Sequence, residues 1–172
     1  MTTPDSRFPI TSSRVGLGYD SHRFSPGGPL ILGGIAIPID FSLASHSDGD
    51  AVAHAVTDAV LGAAALGDIG EMFPDTDPGL RGANSMEMLR AAVRRVRESG
   101  YAVVNADVVV VTETPKLGPY RDAMRSSLAE ALQVGMADVN VKGKTNERMG
   151  WIGRGEGLAC LATVTVTGRA DA

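Results

Sequence analysis

Residues Tyr101–Thr112 read YAVVNADVVVVT, and their dense β-branched content predicts a strand at the centre of a sheet. On its N-terminal side, Asn84 with Glu87 three residues later is typical of a capped helix start, and Gly100 predicts where that helix ends. On its C-terminal side, Pro119 predicts the start of another helix. The middle of the chain is therefore expected to run helix, strand, helix.

Further strands are expected towards both ends of the chain. Arg14–Asp20 (RVGLGYD) and the alternating Leu158–Thr167 each have a strand pattern, and a short strand is expected near Val139–Val141. Pro29–Ile39 has the pattern of a hairpin-like pair with its turn at Gly33-Gly34. Together these elements predict one α+β domain with a mainly antiparallel sheet and helices on one face.

The longest predicted helix runs from about Asp50 to Leu66, with Ser47 or Asp48 as its cap and Gly67 as its C-terminal stop. Turn-forming residues over Asp68–Pro78 predict a surface loop after it. Inward-facing positions follow from the helical and strand periods. They are Leu89, Val93 and Val96 in the second helix, Met124, Leu128 and Leu132 in the third, and Leu158, Cys160, Val164 and Val166 in the last strand.

Composition argues against several classes of function. The net charge is −4 and no lysine or arginine run is dense, so neither nucleic acid nor an anionic membrane is expected as a partner. No apolar run approaches the ~20 residues of a membrane span. The polar segment Met1–Ser13 is expected to be a disordered extension, which leaves residues 14–172 as a single domain. The lone cysteine, Cys160, excludes an intrachain disulfide and predicts a cytoplasmic protein.

All three histidines of the chain fall in one N-terminal stretch, with aspartates around them. The histidines are His22, His46 and His54, and the aspartates are Asp20, Asp48, Asp50 and Asp58. Imidazole and carboxylate together predict a divalent metal site, and Zn²⁺ is the usual occupant. For one histidine alone a solvated or core side chain would be the better interpretation, but the clustering favours the metal.

Three of these residues can meet at one point. Asp20 and His22 share one face of their predicted strand, at its end. His54 lies near the start of the following helix and can reach that strand end. Three protein ligands leave a fourth position open, as in catalytic zinc sites. Asp58, four residues after His54 on the same helical stripe, is predicted to accept the other imidazole N–H.

Two further motifs each have a functional and a structural interpretation. Ser45–Asp50 leads into a helix N-terminus, where His46 and Ser47 could hold an anion, although ordinary capping explains the same residues. Gly16-Leu17-Gly18 lacks the third glycine of a dinucleotide fingerprint and is better explained as structural.

The charged loops are similarly open to two explanations. Asp75 and Asp77, flanked by prolines, fit either a solvated turn or part of a lid. The glycine-punctuated stretch from Lys142 to Glu156 includes a predicted polar loop over Lys142–Arg148 and fits a solvated segment. Basic groups beside Glu147 would also suit a Mg²⁺–diphosphate complex.

Several segments of the chain share an order and spacing with one family. They are Gly18-Tyr19-Asp20-Ser21-His22, Leu32-Gly33-Gly34, His46–Asp50 with His54 and Asp58, Leu61–Gly70, Phe73–Pro78, Pro115-Lys116 and Gly153–Gly157. Together they resemble the 2-C-methyl-D-erythritol 2,4-cyclodiphosphate synthase family of the non-mevalonate isoprenoid pathway. The resemblance covers nearly everything from Arg14 to Thr167, and the block from His46 to Pro78 is too long for chance.

The resemblance implies a homotrimer with active sites between adjacent subunits, each subunit having a four-stranded sheet with helices on one face. It implies Zn²⁺ on Asp20, His22 and His54, and Mg²⁺ or Mn²⁺ held by Glu147 against the substrate diphosphate. These four residues and His46 form the implied catalytic set.

The residues matched to substrate fall into three groups. His46 and Ser47 match the residues that hold the 2-phosphate. Those matched to the methylerythritol are Asp68, Gly70 and the Phe73–Asp77 loop, which includes Phe73, Asp75 and Asp77. Those matched to cytidine are Thr112–Gly118, which includes Pro115 and Lys116, and the pair Lys144 and Thr145. Tyr19, Trp151 and Arg154 match a cavity on the trimer axis that can hold an isoprenoid diphosphate. Lys144 and Asn146 depart from the family's usual threonines, and Tyr19 and Trp151 stand where phenylalanine is common.

The implied reaction converts 4-diphosphocytidyl-2-C-methyl-D-erythritol 2-phosphate to the 2,4-cyclodiphosphate and CMP, by attack of the 2-phosphate on the β-phosphate. A zinc phosphohydrolase would use the same three ligands, and only the product would distinguish it. A non-catalytic nucleotide- or isoprenoid-diphosphate-binding protein would instead need a closed, four-ligand zinc site.

Overall fold

The computed structural model describes residues 13–74, 76–80 and 82–168. In these ranges the strands are β1 (Ser13–Pro26), β2 (Leu30–Leu32), β3 (Ile35–Ile37), β4 (Phe41–Leu43), β5 (Tyr101–Val111), β6 (Val139–Lys144) and β7 (Gly157–Gly168). The helices are α1 (Ala51–Ala64), α2 (Ile69–Met72), α3 (Ser85–Glu98), α4 (Arg121–Leu132) and α5 (Gly150–Gly153). Short 3-10 turns cover Pro78–Leu80, Gly118–Tyr120 and Met136–Asp138.

The main sheet has five strands in the order β4-β1-β7-β5-β6. Its neighbours are antiparallel except β5 and β6, which run parallel, so the mainly antiparallel α+β sheet is confirmed. The expectation of four strands is wrong. The additional strand is β4, which pairs with the end of β1 through Phe24 and Leu43. A strand of three residues is too short for its alternation of apolar and polar side chains to be recognised from the sequence.

The helices pack on one face of this sheet. Helix α1 lies against β1 and β7, α3 against α1 and β5, and α4 against β6. All the inward-facing positions expected from the sequence are buried. The opposite face carries four exposed large apolar side chains: Val15, Leu17, Tyr19 and Leu161 are 68%, 66%, 54% and 38% exposed. We call these four residues the open sheet face.

Glycines in β1 set how closely α1 approaches the sheet. A Cβ added at Gly16 would lie 2.0 Å from the Ala59 carbonyl oxygen, and one at Gly18 would lie 1.9 Å from that of Ala55. The structural interpretation of this glycine pair is therefore confirmed. Strands β2 and β3 form the expected hairpin, and its turn residues Gly33 and Gly34 both have positive φ.

Several element boundaries differ from expectation. Strand β1 continues to Pro26, so Asp20 lies inside the strand and not at its end. Helix α1 is capped by Asp50, not by Ser47 or Asp48, because the Asp50 carboxylate also accepts N–H groups from the β2–β3 turn. It ends at Ala64, and Ala65 takes the left-handed cap conformation.

The remaining differences concern loops and the chain ends. The loop expected after α1 contains the short helix α2, and β6 extends to Lys144 into the predicted polar loop. Most of the predicted extension, residues 1–12, lies outside the described residues, whereas Ser13 begins β1. No helix in the described ranges is long and apolar enough to cross a membrane.

Candidate metal and phosphate site

The three predicted zinc ligands come together between β1 and α1. Asp20 Oδ2 lies 2.9 Å from His22 Nε2 and 3.2 Å from His54 Nδ1. One ligand atom from each of the three residues lies within 4.8 Å of the other two. Because strand side chains alternate, Asp20 and His22 share the face of β1 on which α1 packs. The close approach of α1 at Gly18 then brings His54 beside them.

The orientation of His22 suits a metal ligand. Its Nδ1 lies 2.9 Å from the Ala44 carbonyl oxygen, which can only accept, so in the neutral ring Nδ1 carries the proton. The lone pair is then on Nε2, which is buried and faces Asp20 Oδ2 at 2.9 Å. A buried imidazole lone pair beside a carboxylate is the donor set that Zn²⁺ prefers. The residues therefore fit the implied zinc ion.

The electrostatics keep Asp20 available as a ligand. Burial raises the pKa of this carboxyl, but hydrogen bonds and charge from His22 and His54 outweigh burial and lower its pKa from 3.8 to about 2. In turn, the Asp20 carboxylate raises the pKa of His22. Asp20 is therefore ionised at neutral pH, the form that binds a metal.

The other nitrogen of His54 contacts two serine hydroxyls. His54 Nε2 lies 2.9 Å from Ser85 Oγ and 3.1 Å from Ser47 Oγ. The prediction that Asp58 accepts this N–H is wrong. Asp58 Oδ1 accepts the backbone N–H of Ile69 at 2.8 Å instead, at the start of α2. The first N–H groups of a helix need acceptors from outside the helix, and Asp58 fills this role for α2 instead of contacting the imidazole of His54.

A cavity of about 670 Å³ opens over the metal residues. The predicted residues that line it are Asp20, His22, His46, Ser47, His54, Gly70, Phe73 and Asp77. Asp68 is not among the lining residues, since its side chain accepts the Glu71 N–H at 2.8 Å and caps α2. Asp75 lies outside the described residues. The structure thus joins the predicted zinc and 2-phosphate residues in one cavity.

A second cavity, of about 230 Å³, holds the residues matched to cytidine. Pro115, Lys116, Lys144 and Thr145 line it, together with Arg121. The first cavity is lined by residues between positions 20 and 88, and the second by residues between positions 112 and 145. The two cavities share no residue.

Besides Asp68, the predicted site residues Glu147, Trp151 and Arg154 line neither cavity. Glu147, the implied Mg²⁺ ligand, accepts the Thr145 hydroxyl at 2.5 Å and has a left-handed backbone with φ of 49°. Arg154 pairs with Glu156 at 2.7 Å, and Trp151 is 37% exposed. A single chain therefore does not bring Glu147 to the cavity over Asp20.

Sequence reasoning missed two polar residues of these sites. Ser85 contacts His54 but comes 31 residues later in the chain, and an ordinary serine after a helix cap gives no signal of that contact. Arg121 lines the second cavity from the first turn of α4. Its positive charge, close to that of Lys116 in the sequence, was the signal that could have identified Arg121 as a site residue.

The residues of both cavities fall within the part of the chain that is similar to known proteins. The YgbB family model matches residues 13–167. The chain is 61% identical over 153 residues to the 2-C-methyl-D-erythritol 2,4-cyclodiphosphate synthase of Gemmatimonas aurantiaca, which covers 89% of this chain and 92% of that protein.

Solved structures give the same result. The bifunctional IspDF of Campylobacter jejuni is similar with a TM-score of 0.88 and 45% identity, covering 91% of this chain and 42% of that one. IspF of Plasmodium falciparum, solved as a CDP complex, is similar with a TM-score of 0.80 and 31% identity, covering 92% of this chain and 98% of that one.

Proposed function

The chain belongs to the YgbB family of 2-C-methyl-D-erythritol 2,4-cyclodiphosphate synthases, and on that premise we propose that Asp20, His22 and His54 hold a catalytic zinc ion. The chain converts 4-diphosphocytidyl-2-C-methyl-D-erythritol 2-phosphate to the 2,4-cyclodiphosphate and CMP. The comparisons give no support to the phosphohydrolase alternative. The convergence of three ligand atoms at one point is the observation that supports the zinc assignment.

The residues of the chain act mainly by positioning. A zinc ion bound here would supply positive charge to the phosphate under attack. His46 and Ser47, beside the ligands, suit the substrate's 2-phosphate, which is largely dianionic near pH 7 and needs no general base. Holding that phosphate in line with the β-phosphorus lowers the entropic cost of ring closure.

The remaining substrate contacts are proposed by cavity and by family match. Gly70, Phe73 and Asp77 surround the methylerythritol, and the family match adds Asp68 and Asp75 to this group. The second cavity receives cytidine, a proposal supported by the CDP complex of the P. falciparum relative. Its lysine and arginine side chains suit the attached phosphates. Glu147 would hold the Mg²⁺ or Mn²⁺ that neutralises the diphosphate.

A homotrimer would complete the site. The metal and cytidine residues lie in separate cavities, and the open sheet face leaves large apolar side chains uncovered. Apolar patches of this kind are typical of interfaces. We therefore place the open sheet face between subunits around a threefold axis, with each active site formed by two neighbours. Trp151 and Arg154 are proposed to hold an isoprenoid diphosphate on that axis.

Two broader proposals rest on the sequence. Residues 14–172 form one synthase domain, which the family match over 13–167 supports. The single cysteine, Cys160, is buried in β7, and this is consistent with the proposed cytoplasmic location.

The test is ³¹P NMR of the purified protein with the diphosphocytidyl substrate, Zn²⁺ and Mg²⁺. We expect two coupled cyclic-diphosphate resonances and CMP, lost after chelation and restored by metal. His22→Ala should lose both bound zinc and turnover. Full turnover by zinc-free His22→Ala would contradict the zinc assignment, and a linear monophosphate product would favour a phosphohydrolase.

A further inference from the structure

The hydrogen bonds behind His54 extend beyond the metal ligands to the half-buried carboxylate of Asp48. Ser85 Oγ lies 2.9 Å from His54 Nε2 and 2.5 Å from Asp48 Oδ1. Asp48 Oδ2 also accepts the Ser85 backbone N–H at 3.1 Å. Ser85 is fully buried at the first position of α3, so its hydroxyl is held between these two partners.

The direction of each hydrogen bond in this chain follows from chemistry. An ionised carboxylate can only accept, so the Ser85 hydroxyl donates its one proton to Asp48. The Ser85 oxygen then has only lone pairs to offer to His54. His54 Nε2 must therefore carry the proton, and in the neutral ring the lone pair is on Nδ1, which points at Asp20.

We propose that Ser85 and Asp48 are positioning residues that hold His54 ready to bind the metal through Nδ1. The inference rests on the proposed zinc site and assigns a role to two residues outside it. The Ser85 oxygen accepts the N–H of His54 Nε2, just as the Ala44 carbonyl accepts the N–H of His22 Nδ1. Partners of this kind fix the ring orientation and increase the basicity of a ligating imidazole.

The same network reaches the loop of His46 and Ser47, which is proposed above to bind the 2-phosphate. Ser85 Oγ lies 3.3 Å from Ser47 Oγ, and Ser47 Oγ lies 3.1 Å from His54 Nε2. The Asp48 backbone N–H donates to the Ala83 carbonyl at 3.1 Å, which fastens this loop to the start of α3. One hydrogen-bond network therefore positions both the metal ligand and the serine proposed to hold the 2-phosphate.

The experiment compares zinc affinity in three variants, by competition with a chromophoric chelator. Ser85→Ala should weaken zinc binding roughly tenfold to a hundredfold. Ser85→Thr keeps the hydroxyl and should restore most of the affinity. Ser99→Ala is the matched control at the C-terminal cap of α3, where the Ser99 hydroxyl contacts the backbone carbonyls of Arg95 and Val96 and no metal residue in the described ranges. It should bind zinc as the unmodified protein does.

Proton NMR of the zinc-bound protein provides an independent signature. The His54 Hε2 resonance should exchange slowly with water in the unmodified protein and faster in Ser85→Ala. Unchanged affinity and exchange in Ser85→Ala would overturn the proposal while leaving the zinc site intact. Absence of zinc binding by the unmodified protein would instead contradict the zinc assignment itself. If Ser85→Ala does not fold, rapid Hε2 exchange in the unmodified protein would still overturn the proposal.

Discussion

The Ala55 carbonyl of α1 faces Gly18 of β1 so closely that a Cβ on Gly18 would lie 1.9 Å from its oxygen. Gly16 has the same relationship with Ala59, at 2.0 Å. The helix therefore rests on strand backbone, which places the His54 imidazole within reach of Asp20.

Gly18→Ala tests whether this close approach assembles the metal site. The added methyl group must push α1 away from β1, because backbone atoms cannot yield as a flexible side chain can. We expect destabilisation by about 2 kcal/mol and a large loss of zinc affinity. Urea denaturation and a zinc titration measure the two effects. Gly62→Ala is the control: Gly62 lies in α1, and in the described ranges nothing beyond the neighbouring backbone of that helix lies within 4 Å of the new Cβ. This variant should gain up to about 1 kcal/mol of stability. Normal zinc binding by Gly18→Ala would contradict the argument.

Asp50 joins the β2–β3 hairpin to the start of α1. Its buried carboxylate accepts N–H groups from Gly33, Gly34, Val52 and Ala53. Asp50→Ala leaves these donors without that partner, and we expect a loss of about 3 kcal/mol in the free energy of unfolding. The comparison is Asn84→Ala, which removes an exposed cap of α3 and should cost about 1 kcal/mol. Equal losses in the two variants would show that the hairpin contacts add nothing.

The stability of the metal-free protein should depend on pH through Asp20 and His22. The folded pKa of Asp20, about 2, lies below its ordinary 3.8, so its contribution is present above pH 3.8 and lost as pH falls towards 2. This acid limb should amount to about 2 kcal/mol. The pKa of His22 is raised above 6.5, so its contribution is present below pH 6.5 and lost as pH rises through the higher value.

Urea denaturation with a chelator, repeated across pH, measures the loss of stability on the acidic side and on the basic side. We expect the greatest stability between these two losses. The profile should be flatter in Asp20→Asn, which removes the carboxylate charge that interacts with His22. An Asp20→Asn profile parallel to that of the unmodified protein would assign the pH dependence to other groups.

Leu17→Lys tests the proposed assembly. Leu17 is 66% exposed at the middle of the open sheet face, so a lysine there should change the stability of a monomer little. At a subunit interface it would place a charge among apolar side chains. We expect light scattering to show monomers and turnover to be lost. Met136→Lys, 38% exposed in a 3-10 turn, is the control and should remain assembled and active. An assembled, active Leu17→Lys protein would exclude this face as the interface.

The convergence of Asp20, His22 and His54 was predictable because these residues are constrained locally. Asp20 and His22 are two residues apart on a strand, and no histidine outside the N-terminal stretch competes with His54. Periodicity likewise identified the buried faces of α3, α4 and β7. These features depend on residues a few positions apart, which is the range that sequence patterns describe.

Long-range contacts decided the features that sequence did not reveal. Ser47, Asp48 and Asp50 are all acceptable caps, and the hairpin N–H groups selected Asp50. Asp58 had the correct helical spacing from His54, yet its carboxylate accepts a hydrogen bond from the backbone of α2 instead. Ser85 reaches His54 from another helix, a contact that only the packed structure provides.

The separation of the two cavities along the chain has a genetic consequence. In the proposed trimer, a variant that is defective at the metal residues, such as His22→Ala, still carries an intact nucleotide cavity. A variant such as Lys116→Ala has the opposite defect. Subunits of the two kinds, unfolded and refolded together, would pair two undamaged halves at about a quarter of the interfaces. Two inactive alleles in one cell should therefore complement each other and restore isoprenoid precursor synthesis.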